Sequence, residues 1–401
     1  MDTFGFSTEK LKNIESYLQE KYIDTNRYIG TLTGIYRKGE LGFISALGLM
    51  DRESNKPVER DTIFRIYSMT KPITSVALMS LYEKGLFQLD DPVSEYIPAF
   101  KDLKVYAEGI PGNYKTNNPD REMTIRDLLS HQSGLTYGFM ERTNVDAAYR
   151  ELGIEKESHE SLQKFVDVLS TIPLEFSPGT AWNYSVSTDV CGYLIEVISG
   201  KTLDRFLEEE IFQPLGMVDT GFYVPPSKTR RLSSNYEYRE REEPILVDDA
   251  KSGSYINSPS LLSGGGGLVS TLDDYMAFSK MILGKGSLEG HRILSRKTLD
   301  LMSSNHLTNG KDLRSCAYGR WSETSYTGIG FGLGFSVLLD PAASQVSGSK
   351  GELAWGGAAS TAFWIDPLEE MAVVFLTQLL PSSTYNVRRE LRSLVYSALS
   401  D

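Results

Sequence analysis

Four places in the chain match Ser-x-x-Lys: Ser7 with Lys10, Ser68 with Lys71, Ser161 with Lys164 and Ser347 with Lys350. Three residues apart on a helix is one face, about a turn apart. A partly desolvated lysine has a lowered pKa and can act as a base or polarise a neighbouring hydroxyl for nucleophilic attack. Because the pattern recurs, flanking sequence must separate the candidates. Ser7 and Ser161 belong with polar positions of amphipathic helices, where a solvated lysine is account enough. Ser347 and Lys350 lie in a small-residue run, Ser344-Gln345-Val346-Ser347-Gly348-Ser349. Ser68 and Lys71 follow the strand-like Thr62-Ile63-Phe64-Arg65-Ile66 and open an apolar helix near Pro72, a residue tolerated in a first turn. Local context leaves two readings of Ser68: a nucleophile at the positive end of a buried helix, or an N-cap beside a surface lysine.

The other polar candidates are fewer. Of four histidines, His131 alone sits in a suggestive loop, Ser130-His131-Gln132-Ser133-Gly134, and it reads as a turn residue after a helix. No Gly-x-Ser-x-Gly elbow occurs, so a Ser-His-Asp triad has little support. The histidines make no i, i+4 pair, and two cysteines, Cys191 and Cys316, cannot build a disulfide framework or a cysteine zinc site. No metal site is expected. Tyr184 lies in Pro178-Gly179-Thr180-Ala181-Trp182-Asn183-Tyr184-Ser185, a turn before a helix that Ser187 could cap. It is one of 22 tyrosines, and packing is its simplest role. Ala354-Trp355-Gly356-Gly357-Ala358 falls in a strand-like run, where glycine marks close approach of a ligand or of another backbone. A bulge beneath helices would explain it; so would a flat edge whose N–H groups, beside Trp355, receive an acyl group and its oxyanion.

These residues need a frame. Leu11, Ile14, Leu18 and Tyr22 recur at helical spacing, and residues 28–36 and 41–47 read as a hairpin about Arg37-Lys38-Gly39-Glu40. Residues 73–81 are apolar almost all round, a buried helix. From there to about Leu301 the pattern is mostly helical, with periodic runs at 125–129, 162–169, 190–198 before Gly200, and 275–283 before Gly284. Strand candidates return at 331–339, 353–365 and 371–379, and residues 386–399 form a closing helix. A lone N-terminal hairpin is marginal. The expectation is therefore one sheet domain from residues 1–65 and 320–401, interrupted by a mainly helical domain, 66–319, with a cleft between them. Two sequential domains are the alternative. Residues 227–263 carry charges, then small residues, with no steady period, and read as a surface excursion of the kind that forms lids or stays disordered. The run Gly264–Gly265–Gly266–Gly267 lets backbone pack closely.

Composition excludes whole classes. Among 401 residues, 40% are apolar and 23% charged, as in soluble globular chains. The net charge of −12 gives no electrostatic reason to hold nucleic acid or an anionic membrane. No stretch approaches a membrane span. The N-terminus lacks the basic start of a signal peptide, so the expected compartment is the cytoplasm.

Several ordered segments together resemble the serine β-lactamase and penicillin-binding protein superfamily, in particular its class C-like branch and, within it, the family VIII carboxylesterases. They are Ile66-Tyr67-Ser68-Met69-Thr70-Lys71-Pro72, the run from Met123 to Leu135 containing Leu129-Ser130-His131-Gln132-Ser133-Gly134, the Tyr184 segment, and Ser263-Gly264-Gly265-Gly266-Gly267-Leu268-Val269-Ser270-Thr271. The resemblance implies an α/β plus all-α fold of the serine β-lactamase type: an antiparallel sheet flanked by N- and C-terminal helices, with a large helical insertion. It makes Ser68 the nucleophile, Lys71 and Tyr184 its proton-transfer partners, and the backbone N–H groups of Ser68 and Ala358 the oxyanion hole. Trp355-Gly356-Gly357 stands where the lactamases carry Lys-Thr-Gly, and Tyr184-Ser185-Val186 where they carry Tyr-x-Asn. With no cation at Trp355 and no amide at Val186, a pocket of Trp355, Gly356, Gly357 and Val186 favours neutral, apolar acyl groups. The implied activity is hydrolysis of carboxylic esters with short-to-medium acyl chains through an acyl-enzyme on Ser68. The alternatives are an acyltransferase on the same scaffold, a weak β-lactamase or DD-peptidase, and a non-catalytic binding or sensor protein of the same fold. No cofactor is expected, the partner is a small-molecule ester, and the assembly is a monomer or small homo-oligomer.

Overall fold

Apolar strands from the two ends of the chain build one sheet. In the computed structural model, which describes residues 2–155, 159–319 and 325–401, the N-terminal part supplies β1 (Gly30–Arg37), β2 (Glu40–Asp51) and β3 (Lys56–Pro57). The C-terminal part supplies β4 (Ile329–Phe331), β5 (Ser336–Leu338), β6 (Leu353–Gly356), β7 (Ala362–Asp366) and β8 (Met371–Thr377). The eight strands lie in the order β4-β5-β6-β7-β8-β1-β2-β3, and every pair is antiparallel. The seam between the chain ends is β8 on β1, in register from Met371 opposite Arg37 to Thr377 opposite Thr31. The hairpin is thus not alone; the late strands complete it.

Five helices matter to the site: α1 (Thr8–Leu18), α2 (Thr70–Glu83), α3 (Ser187–Ser199), α4 (Leu272–Leu283) and α5 (Val387–Ser397). The period-2 pattern of β8 sorts them. Val373 and Phe375 join Leu11, Ile14 and Leu18 of α1 and Leu391 and Val395 of α5 in one core. Val374 and Leu376 face the other way, into the larger core with Leu272 and Tyr275 of α4. Helix α2, buried from Thr70 to Leu81, packs on α3 inside the helical part. Burial on all sides fits a helix whose residues 73–81 are apolar almost all round. Ser7 and Ser161 accept from Lys10 N and Lys164 N, so both are helix N-caps.

Several elements differ from expectation. Residues 331–339 are not one strand: the chain turns through Gly332 and Gly334 (φ 104°) between β4 and β5. The run 353–365 likewise divides into β6 and β7 after Gly356. The mostly helical middle contains a hairpin, Val105–Ile110 with Asn113–Asn117, whose largely exposed strands carry no hydrophobic alternation. The excursion 227–263 is ordered, because Asn235–Glu237 pairs both with Ile245–Asp248 and with Leu379–Leu380. Ser187 does not cap α3; it lies in the first turn, bonded to the hydroxyls of Ser133 and Ser185 at 2.7 Å each. Among the described residues no helix is long and apolar enough to cross a membrane.

Candidate active site

The chain reaches Ser68 through a strained step. Tyr67 has φ 43°, a left-handed conformation rare for a bulky residue, at the start of the short 3-10 turn Tyr67–Met69 that leads into α2. Ser68 therefore stands ahead of the helix, and its hydroxyl caps nothing. The Ser68 Oγ instead receives the Tyr184 hydroxyl at 2.5 Å and faces Lys71 Nζ at 3.3 Å. The alternative reading, an N-cap beside a surface lysine, fails on both counts, since Lys71 is only 1% exposed. Lys71 Nζ also donates to the Tyr137 hydroxyl at 2.9 Å and to the Gly265 carbonyl at 2.7 Å, and lies 4.5 Å from the centre of the Tyr184 ring. An ammonium has three donors and no acceptor, and three oxygens surround this one.

Tyr184 is held by its neighbours in the chain. Asn183 N and Val186 N donate to the carbonyls of His131 and Thr136, and Asn183 Nδ2 donates to Leu135 O at 2.9 Å. The Tyr184 ring packs against His131, Tyr137 and Trp355, with centroids 5.1, 5.2 and 5.4 Å away. His131 is a turn residue with φ 55°, and its Nδ1 meets Ser185 Oγ at 3.1 Å. Complete burial, reinforced by the Lys71 charge, pushes its pKa well below the usual histidine value. A neutral ring packed on Tyr184 is its place, and it makes no contact with Ser68.

The glycine run supplies the opposite wall. Gly264 O accepts from Thr74 Oγ1 of α2 at 2.8 Å, and a Cβ there would meet Thr188 O of α3 at 2.8 Å. Gly265 N donates to Asp189 Oδ1 at 3.0 Å, and a Cβ at Gly265 would meet Asp189 Oδ2 at 2.4 Å. The missing side chains let this backbone slip between two helices and present its carbonyl to Lys71. At the end of β6, a Cβ on Gly357 would lie 2.4 Å from Ile66 O and 2.3 Å from Thr361 Oγ1. Only glycine allows this strand to approach the Ser68 turn so closely, and it brings Ala358 to the cavity where Ser68 opens.

That cavity, of ≈ 360 Å³, is lined by Ser68, Tyr184, Val186 and Ala358 together with Phe139, Phe165, Phe222, Tyr255 and Leu261. Two carboxylates, Glu155 and Asp189, also line it, and among the described residues no Lys or Arg does. Burial raises the pKa of both; the Lys71 charge opposes the shift at Asp189. The ordered excursion contributes Tyr255, Pro259 and Leu261 to the wall. Trp355, Gly356 and Gly357, expected in the substrate wall, do not border this cavity. Trp355 is 2% exposed, stands behind Tyr184 edge-on to Phe331, and borders a separate cavity of ≈ 470 Å³ beneath α5. A Cβ on Gly356 would meet the Arg388 guanidinium at 2.5 Å, on the far side from Ser68. Of the sequence-derived residues, then, Ser68, Lys71, Tyr184, Val186 and Ala358 converge, while Trp355, Gly356 and Gly357 support from behind. Tyr137 and Asp189 were not singled out. Asp189 did leave a signal: a carboxylate one residue ahead of the apolar run of α3.

A hydroxyl flanked by a phenol and a buried lysine, opening onto an apolar cavity, has the parts of a nucleophile with its proton acceptor. The beta-lactamase family model matches residues 14–397. This chain belongs to that family. Protein Rv1367c of Mycobacterium tuberculosis (strain ATCC 25618 / H37Rv) is 34% identical over 361 residues, covering 89% of this chain and 88% of the relative. Esterase EstB of Burkholderia gladioli is 29% identical over 373 residues, covering 88% and 86%. Among solved structures, EstCE1, described as a hydrolase with promiscuous acyltransferase activity, superposes with a TM-score of 0.81 at 28% identity, covering 97% of this chain and 99% of that one. Simvastatin synthase (LovD) from Aspergillus terreus shares the fold, with a TM-score of 0.81 at 23% identity and coverage of 98% and 99%.

Proposed function

We propose that this family member is a serine carboxylesterase acting through an acyl-enzyme on Ser68. The observation that carries the reading is the Ser68 hydroxyl, 2.5 Å from the Tyr184 phenol and 3.3 Å from the Lys71 amine, at the floor of an apolar cavity. Ser68 Oγ attacks the ester carbonyl while the Lys71–Tyr184 pair takes its proton. The backbone N–H groups of Ser68 and Ala358 hold the tetrahedral oxyanion, each such donor contributing about 2.7–4 kcal/mol. The pair returns the proton to the leaving alcohol, and water then releases the acid by the same route. An alcohol leaves more easily than an amine, so the ester is the less demanding substrate. The kinship with EstB and EstCE1 supports this reading. Short-to-medium acyl chains fit a cavity of this volume between the rings of Phe165, Phe222 and Tyr255. We further propose that the cleft lies between a sheet part, residues 1–65 and 320–401, and a helical part, 66–319.

Acyl transfer to an alcohol other than water is the second reading. EstCE1 is described as having that activity, and acyltransferase calJ of Penicillium decumbens is 28% identical over 349 residues. Both readings share the acyl-enzyme. Ser68→Ala should abolish p-nitrophenyl butyrate turnover and labelling by a fluorophosphonate, with folding intact. Ser7→Ala, Ser161→Ala and Ser347→Ala should keep activity, although the first two lose a helix cap worth ~0.5–2 kcal/mol. Wild-type turnover by Ser68→Ala would refute the nucleophile. Product that depends on an added alcohol would favour transfer over hydrolysis.

A further inference from the structure

We infer that Asp189 is a positioning residue for Lys71: through the Gly265 peptide it fixes the lysine between Ser68 and Tyr184, and its charge keeps that lysine an ammonium throughout turnover. The inference rests on the acyl-enzyme reading and deepens it. Asp189, 5% exposed, sits in the first turn of α3, five residues beyond Tyr184. Its Oδ1 accepts from Ser263 Oγ at 2.5 Å and from Gly265 N at 3.0 Å. The same Gly265 gives its carbonyl to Lys71 Nζ at 2.7 Å. One peptide group therefore connects carboxylate to lysine, donating to one and accepting from the other. A buried carboxylate without a cation nearby is costly, and Lys71 is the cation that faces this one.

This division of charge assigns the protons. With Lys71 held as –NH3+, Tyr184 enters as phenolate beside it. It takes the Ser68 proton as the Oγ–carbonyl bond forms and gives that proton to the alcohol oxygen as the ester C–O bond breaks. Lys71 begins and ends with three protons. Among the described residues, the ionisable groups shown beside the lysine include Tyr137, Tyr184 and His131, the last held neutral by burial. Around Asp189, among the described residues, they are Glu155 and Cys191; burial pushes all three toward their neutral forms, and Asp189 is the one that the Lys71 charge, Ser263 and the Gly265 N–H draw back toward the carboxylate. None of these can replace the Asp189 charge.

Asp189→Asn keeps an acceptor for Gly265 N and removes the charge, so Lys71 loses its proton more readily. The limb of the kcat/KM profile at which rate falls with rising pH should move to lower pH by about one unit, with KM for p-nitrophenyl butyrate little changed. A role limited to bracing the glycine run would not move that limb. Ser263→Ala weakens the carboxylate from outside the catalytic contacts and should move the limb the same way by less. The wild-type limb in folded Asp189→Asn overturns the inference; if that variant does not fold, an unmoved limb in Ser263→Ala does so. Ser68→Ala, run alongside, tests the reading beneath: retained activity there would remove the acyl-enzyme itself, whatever Asp189 does.

Discussion

A tyrosine hydroxyl has an ordinary pKa near ~10 and is a poor base at neutral pH unless a cation lowers it. Lys71 is placed for that, 4.5 Å from the Tyr184 ring and hydrogen-bonded toward Ser68. Tyr184→Phe keeps the ring packed on His131, Tyr137 and Trp355 and removes only the oxygen. The expected loss is about 10²–10⁴ in kcat, the range for a general acid–base group. Steady-state kinetics on p-nitrophenyl butyrate between pH 6 and 9 would show it; an undiminished rate would move the proton acceptor elsewhere. At this scale the sequence was readable where spacing and context coincided. Ser68 and Lys71 stand three apart at the mouth of a helix apolar almost all round, which no other Ser-x-x-Lys in the chain does. Tyr184 carried no signal of its own among 22 tyrosines and came only through the family resemblance. Asp189 acts through a peptide group 76 residues away in sequence, and no local pattern encodes that. For Trp355, residue type told nothing of which face of β6 turns inward. Opposite Phe363, it lies in the core with Phe331.

At the scale of elements, the site depends on backbones that touch. Glycine is what permits contact between β6 and the Ser68 turn, and between the 264–267 run and helices α2 and α3. Gly357→Ala would put a methyl 2.4 Å from Ile66 O, among backbone atoms that cannot swing aside. The strand end must then withdraw and take the Ala358 N–H with it. Losing one oxyanion donor costs about 10²–10³ in kcat. Gly357→Ala should show a fall of that size with KM changed much less, and unchanged rates would remove Ala358 from the oxyanion hole. Close approach was legible in both glycine runs, but what approached was not, because the partners come from distant parts of the chain. Helix ends were legible where a glycine announced them, as at Gly200 after α3 and Gly284 after α4. The hairpin 105–117 escaped because exposed strands need no alternation.

The molecule as a whole joins its ends in one sheet, and the argument that a lone hairpin needs further strands was sufficient to expect it. Its charge bears on selectivity. The chain carries −12 overall, and among the described residues the cavity wall holds two carboxylates and no Lys or Arg. A β-lactam such as nitrocefin brings a carboxylate and a side-chain amide. Here the carboxylate finds no Lys or Arg among the described residues of the wall, with Lys71 already surrounded by protein oxygens, and the amide meets the methyls of Val186. Each buried polar group left unpaired costs ~1–3 kcal/mol, so two lower kcat/KM by ~10²–10⁴. p-Nitrophenyl butyrate is neutral, makes neither demand, and sets its acyl chain among Phe165, Phe222 and Tyr255. It should exceed nitrocefin in kcat/KM by at least two orders of magnitude. Salt supplies an internal check, since screening at high ionic strength reduces the repulsion of the nitrocefin anion and leaves the neutral ester unaffected. The gap should therefore narrow between low and high salt, through faster nitrocefin turnover. Equal kcat/KM for the two substrates at low salt would refute the selectivity and make this chain a lactamase in activity as well as in family.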